Sequence, residues 1–446
     1  MKWVIGICIE CCITYVIQHT KQKGILYLVL FRSVQANHCP ICKSNNINLF
    51  LDLGRQPPAN DLKDSINSAL NCSRFELSLL ICNECLYVWL SEKVQPDVLF
   101  SNNTYLTGVS NQTLDDMKDF AEDCLRTCNL SKGSDVLDIA SNDGTLLSFF
   151  KKEGCHVLGV DPSRPAFEIA MTKGINTMNR MFDSDTREQI LATTGKMDLV
   201  SATNIITHVP NPEEFLINCK YLLKPTGSLV VEFYNFESMI SNSAFDQIYH
   251  EHMSYFNFTT FSRLLENVGL EAYKVEQVNS QGGSLRVFIS FTGSQNIDES
   301  VKNMLETEGG LESIKSRYFL FPQKVAKIKR DALKFLEAEI RSGNKIAGYG
   351  ASAKATVFLN FLNLSRSEII AIADKSPIKQ GKFIPGAAIP VVSPDDLVNL
   401  NPKIIIIFAW NLRKEIVGFL KQIFSQDVNI IALIPEISFF NTGQEA

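Results

Sequence analysis

No uninterrupted apolar run in this sequence is long enough to span a bilayer. Trp3 to Ile17 is apolar but broken by Glu10, and Gly24 to Phe31 follows Lys21 and Lys23 as a second short run. Both stop short of the roughly 20 residues that a membrane helix needs, and no small-residue cleavage site follows the first run cleanly. Runs of Lys and Arg are missing too. With a net charge of −5, the chain lacks the basic surface of a nucleic-acid binder, and an anionic ligand has to be met by a local basic spot. Proline is sparse, 16 in 446 residues, while 45% of residues are hydrophobic and 20% charged. That is the composition of a packed globular protein with room for two or three domains. The expectation is a cytoplasmic protein with neither membrane nor nucleic acid as a partner. Residues 1–36 carry no recognisable chemistry and are read as an extension of unassigned role.

Cysteine is plentiful by contrast, 12 in all, and four of them are spaced for a metal. Cys39-Pro-Ile-Cys42 and Cys82-Asn-Glu-Cys85 are two Cys-x-x-Cys knuckles. Each bends the backbone so that two thiolates meet one Zn²⁺, and two knuckles complete a tetrahedral site with no open position for water. Such a site is structural and contributes folding energy to a small domain. Cys72 has no partner at knuckle spacing, and the remaining cysteines read as small hydrophobes.

Glycine is scarce where a dinucleotide fold would need it. Asp135 to Ala140 is an apolar run ending in Ser141-Asn142-Asp143-Gly144, and Thr145 to Lys152 has helical spacing. Strand, tight loop and helix in that order form the first unit of a doubly wound sheet. A second strand, His156 to Val160, ends at Asp161-Pro162, with Asp161 placed to accept hydrogen bonds from two ribose hydroxyls. Further strands are expected at Met197 to Ala202 and Ser228 to Glu232. A pyrophosphate site wants three glycines in the loop; this loop has Gly144 alone, together with the acidic Asp138 and Asp143. That charge suits a cationic ligand and repels a pyrophosphate. After the fourth strand come Asn204 and His208, the histidine either facing the reaction or capping the helix that starts near Pro212.

A second strand–glycine loop–helix unit begins at Ile346 and contains Gly348, Gly350 and Lys354, with a later acid at Asp374. Alone it is a weak nicotinamide fingerprint. Lys354 at a helix N-terminus also suits a diphosphate.

The most informative segment is Tyr249-His250-Glu251-His252, followed by Met253-Ser254-Tyr255-Phe256. It sets four polar, proton-exchanging groups side by side just after the last core strand. Together with the paired knuckles, the acidic loop and Gly282-Gly283-Ser284-Leu285-Arg286, it resembles the S-adenosylmethionine-dependent sugar C-methyltransferases over residues 39 to about 435. The resemblance implies an α/β protein of three parts. A small zinc-binding domain (37–100) precedes a class I methyltransferase Rossmann-like core (101–295). A helical linker (296–342) then leads to a second Rossmann-like domain (343–446) that helps hold the substrate. It implies S-adenosyl-L-methionine and structural Zn²⁺ as cofactors and a nucleotide-linked keto-deoxysugar as partner. The cofactor would be lined by Asp138, Ala140, Asn142, Asp143, Gly144, Asp161, Pro162 and Asn204, with Tyr105 in a loop reaching over it.

His252 is then the general base and Tyr249 a second proton-transfer or oxyanion-stabilising group. Glu251 orients the histidine or binds the sugar, His208 is an auxiliary, and His250 packs or caps. Gly283, Ser284, Arg286, Gly350 and Lys354 would contact substrate, Arg286 through a phosphate or through Glu251. The chain departs from the family in Ala140, where glycine is usual, and in Gln281, where histidine commonly precedes the glycine pair. The alternatives on the residues alone are O- or N-methylation of a related sugar, an NAD-dependent sugar oxidoreductase, and a non-catalytic zinc-containing interaction protein.

Overall fold

The computed structural model describes residues 4–8, 13–17, 30–32, 38–94, 99, 111–424 and 428–440. Strands β1 (Val4–Cys8), β2 (Ile13–Ile17) and β3 (Leu30–Arg32) form a small antiparallel sheet in the extension. Among the described residues no helix is long and apolar enough to cross a membrane.

The two Cys-x-x-Cys segments fold as twin turns. Each second cysteine is followed by a left-handed residue, Lys43 (φ 61°) and Leu86 (φ 61°). Its amide closes onto the carbonyl of the first cysteine, Lys43 N to Cys39 O at 3.0 Å and Leu86 N to Cys82 O at 2.9 Å. The four thiol sulfurs lie within 4.8 Å of one another, with Cys39–Cys85 at 3.5 Å and Cys42–Cys82 at 3.4 Å. A tetrahedral ion with Zn–S of about 2.3 Å needs sulfur separations of about 3.8 Å, so the four sulfurs are close enough to share one zinc ion. Strands β4 (Ile47–Gln56), β5 (Phe75–Cys82) and β6 (Val88–Leu90) pair antiparallel behind the cluster.

The central sheet has seven strands. β7 (Asp135–Ile139), β8 (His156–Val160), β9 (Thr177–Met178), β10 (Met197–Thr203) and β11 (Leu223–Tyr234) pair in parallel wherever they meet. β12 (Ser254–Tyr255) leaves this sheet, and β13 (Leu270–Val278) and β14 (Ser284–Phe291) complete it in the order β13-β14-β11-β10-β7-β8-β9. β14 runs antiparallel to both neighbours. The winding reverses between β7 and β10, and in open α/β sheets ligands bind in the crevice outside the strand ends at such a switch point. The acidic loop after β7 and the Asn204–His208 loop after β10 both open there.

Helices Glu299–Glu308 and Gly310–Arg341 follow. The second is more than a linker. It buries Ile314, Tyr318, Phe321, Val325, Ile328, Ala332 and Leu336, a stripe at three- and four-residue spacing with charge on the other side. Phe321 stacks on Phe50 at 6.1 Å and Tyr318 meets Phe236 edge-on at 4.9 Å. The last sheet comprises β15 (Ile346–Tyr349), β16 (Ile372–Ala373), β17 (Val391–Val392), β18 (Ile404–Ile407), β19 (Asn429–Ala432) and β20 (Ser438–Phe439), in the order β17-β16-β15-β18-β19-β20. All its pairings are parallel except that of β20. One apolar core joins residues of β4 and β5, the 236–255 segment, the long helix and this last sheet.

The residues just after Tyr-His-Glu-His pair not with the central sheet but with the cysteine domain. β12 lies antiparallel to β6, Ser254 opposite Trp89 and Tyr255 opposite Val88, and the Tyr87 hydroxyl meets Ser254 Oγ at 2.6 Å. Metal removal is therefore expected to loosen this segment as well as the knuckles. Chelation, or Cys85→Ser, should lower the melting temperature and speed hydrogen exchange at residues 254–255 along with 39–90. Unchanged exchange at 254–255 would disprove the coupling.

Candidate active site

His252 is oriented by its own turn. Its Nδ1 lies 2.7 Å from the carbonyl oxygen of Gln247. A carbonyl only accepts, so Nδ1 carries the hydrogen, and in the neutral ring Nε2 keeps its lone pair. The Tyr249 ring lies against the imidazole with centroids 3.9 Å apart, and His208 meets it edge-on at 4.8 Å. The two histidines are held together because the Thr207 carbonyl accepts from the amides of Met253 (2.7 Å) and Ser254 (3.1 Å). Burial, with His208 and Lys354 nearby, holds the His252 pKa well below the usual imidazole value. Burial alone lowers that of His208 to about 4. Both rings are therefore neutral near pH 7. His208 is not the helix cap: Asn211 fills that role for Pro212–Leu222 by accepting the Glu214 amide.

Glu251 does not orient His252; the Gln247 carbonyl does. Glu251 is buried, accepts from Asn60 Nδ2 at 2.9 Å, and its Oε2 has no hydrogen-bond partner. Burial raises its pKa. His250 is fully buried and packs edge-on against Phe75 at 5.9 Å.

At the switch point, Asp138 is buried at the end of β7 and accepts from Ser201 Oγ at 2.7 Å. Burial pushes its pKa up to about 7. Asp161 is fixed by two loop amides, Asn142 N at 2.9 Å and Ser163 N at 2.8 Å, and each oxygen retains capacity to accept another donor. Pro162 continues the same turn. Asp143 differs from the expectation of an acid facing the ligand. It is buried beneath the loop, where it accepts from Thr145 Oγ1 at 2.6 Å and pairs with Lys173 at 3.0 Å, so its charge is largely spent on the helix start. Gly144 adopts φ 72°, and a Cβ there would press on Ile175 at 3.1 Å. The loop residues Ala140 (φ 61°) and Asn142 (φ 49°), and Asn204 (φ 55°) after β10, are left-handed. Asparagine tolerates this; alanine does so at a cost of roughly 1–2 kcal/mol. Two buried acids and the unpartnered Ser141 Oγ suit a cationic ligand bearing hydroxyls. Tyr105 lies outside the described residues.

Two residues expected at substrate are committed elsewhere. Arg286 is buried on β14, where it bonds Glu232 at 2.9 Å and pairs with Asp123. It reaches neither Glu251 nor a phosphate, because the two acids bracketing it satisfy its guanidinium. Ser284 is fully buried and donates to the Ser280 carbonyl at 2.9 Å. Gly283 is required by its φ of 129° and by Ser238 Oγ, which a Cβ would meet at 2.6 Å. Gly350 turns at φ 92° against Ala409. Lys354 is buried at the start of helix Ala353–Leu362, donates to Asn411 Oδ1 at 2.7 Å and sits 4.7 Å over the Trp410 ring. Burial lowers its pKa to about 8 while Asp246 opposes the shift. Sequence reasoning gave no role to Asn60, Asp246, Gln247, Trp410 and Asn411: Gln247 acts through its backbone carbonyl, which any residue supplies, and the others through long-range contacts.

Comparison with known proteins gives matches to three family models: a zinc binding domain over residues 39–100, a methyltransferase domain over 112–275 and a C-methyltransferase C-terminal domain over 279–435. The chain is 28% identical over 403 residues to the C-methyltransferase NovU of Streptomyces niveus, covering 90% of this chain and 96% of that one. It is 29% identical over 99 residues to a ubiquinone biosynthesis O-methyltransferase of Coxiella burnetii, covering 22% and 42%. A solved magnesium protoporphyrin IX methyltransferase from Synechocystis aligns at 16% identity and a TM-score of 0.30, covering 41% and 79%.

Relief of the left-handed strain at Ala140 should outweigh the roughly 0.5–1 kcal/mol that a glycine loses in chain entropy. Ala140→Gly is thus expected to raise the melting temperature slightly and to tighten methyl-donor binding in calorimetry. A lower melting temperature would contradict the strain argument. The three matched models succeed one another along the described domains, and the chain belongs to the S-adenosylmethionine-dependent C-methyltransferase family.

Proposed function

We propose that the enzyme methylates a ring carbon beside a ketone in a nucleotide-linked deoxysugar, with His252 removing the proton from that carbon. The observation that carries this reading is the hydrogen bond from His252 Nδ1 to the Gln247 carbonyl. It leaves Nε2 as a neutral base. Bound S-adenosylmethionine supplies an electrophilic methyl group on a sulfonium. An oxygen or nitrogen acceptor already presents a lone pair; a sugar carbon acquires one only when the adjacent ketone lets it lose a proton. A base held in one tautomer is what carbon methylation needs, and it would be redundant for most oxygen acceptors. The Streptomyces relative, named as a C-methyltransferase, supports the same acceptor type.

The other residues take roles consistent with their surroundings. The Tyr249 phenol, whose ring lies tilted against the base, donates towards the enolate oxygen. Glu251 Oε2, buried without a partner, accepts from a sugar hydroxyl. Lys354, at a helix start near His252, provides the basic spot for a diphosphate in a chain of net charge −5. Asp138 and Asp161 receive the amine and ribose of the methyl donor.

His252→Gln should abolish deuterium exchange beside the ketone, a loss of about 10² to 10⁴-fold for a positioned base, while leaving methyl-donor affinity unchanged. Exchange at wild-type rates in that variant would sink the proposal. The pH profile offers a second check. A base whose folded pKa is held well below 6.5 stays unprotonated at pH 6, so activity should persist there and fall only at more acidic pH. An apparent pKa at or above 6.5 on the acidic limb would contradict the neutral-base reading.

A further inference from the structure

Trp410 and Asp246 meet where the catalytic turn touches the C-terminal domain, and neither has a part in the chemistry above. Trp410 begins the short turn Trp410–Leu412 just after β18, and Asp246 is the middle residue of the turn Phe245–Gln247. Both are buried, at 6% and 2% exposure. The indole Nε1–H donates to Asp246 Oδ2 at 2.8 Å. A buried indole N–H is satisfied by any carbonyl, whereas a buried carboxylate carries a heavy desolvation cost. The negative charge answers the buried Lys354 ammonium, which does not account for the hydrogen bond to the indole. Asp246 does, however, directly precede Gln247, whose carbonyl accepts from His252 Nδ1. The same indole carries Lys354 on its face at 4.7 Å. It also lies 3.8 Å from where a Cβ on Gly282 would stand. One side chain of the C-terminal domain thus touches the turn behind the base and the turn that opens β14.

We propose that Trp410 and Asp246 are positioning residues. The indole, held in the turn after β18, fixes Asp246, and through it the Gln247 carbonyl that keeps the His252 ring in the Nδ1–H form. Docking of the C-terminal domain then sets the base as well as helping to bind substrate. The inference rests on the reading of His252 as the base, but its central readout does not.

The test is histidine-selective ¹⁵N NMR on the full-length, zinc-loaded protein, with the His252 signals assigned by their absence in His252→Gln. The wild type should show a single Nδ1–H tautomer. Trp410→Phe keeps the ring under Lys354 but removes the donor. It should give a mixed tautomer and a drop of about tenfold or more in ketone-adjacent exchange, measured on a nucleoside diphosphate keto-deoxysugar, with methyl-donor affinity unchanged. Asp246→Asn keeps an acceptor for the indole and should retain the single tautomer. A single tautomer in Trp410→Phe overturns the proposal, as does equal disturbance in Trp410→Phe and Asp246→Asn. Should Trp410→Phe fail to fold, Asp246→Ala probes the same bond from the other side, with the same outcomes. A mixed tautomer with unaltered exchange upholds the tether and strikes the base reading instead.

Discussion

The backbone from Asp246 to Tyr255 is held from three directions, and the site depends on that restraint. β12 pairs with β6 of the cysteine domain, the Thr207 carbonyl of the central domain takes two of its amides, and Trp410 of the last domain grips Asp246. A histidine on a free loop would sample both tautomers and several rotamers. Here the ring has one accepting neighbour at Nδ1 and aromatic walls on two sides, so its lone pair occupies one place. Reaction geometry is unforgiving on this scale, since a misplacement of about 1 Å can cost about 10²-fold in rate.

This restraint gives the zinc knuckles a purpose beyond stabilising a small domain. The cluster holds the chain at the end of β5, the adjoining β6 carries β12, and β12 follows His252 by two residues. Closed four-cysteine sites contribute folding energy, and the topology directs part of it to the turn that carries His252. The shared apolar core acts alike. Phe50 from the cysteine domain, Phe236 from the segment before the turn, and Tyr318 and Phe321 from the long helix pack as one aromatic cluster. The three parts are thus mutually buttressed, with no single domain owning the site.

Much of this was legible in order along the chain. Cys-x-x-Cys spacing and the strand–loop–helix starts at Asp135 and Ile346 are local patterns, and each folds as its spacing implies; Tyr-His-Glu-His is local too, but the fold sends His250 to Phe75 and Glu251 to Asn60 while Tyr249 and His252 stay together. The glycine expected at position 140 also has a local reason, visible as the left-handed backbone there. What misled were polar residues whose partners lie far away. Arg286 read as a partner for a phosphate or for Glu251, beside two glycines that allow close backbone approach, yet Glu232 and Asp123 enclose it. Asp143 looked available until Lys173 is placed beside it.

The sequence by itself determined the metal knuckles and the acidic switch-point loop, because residue types at short spacing define them, and its resemblance to a known family pointed to methyl transfer. Tertiary structure alone decided which acids are spent on structure, such as Glu232 on Arg286, and which domains hold the turn that carries His252. Those properties come from hydrogen bonds between residues as much as 191 positions apart, such as Asn60 and Glu251. Burial sets their strength, and no local pattern encodes it.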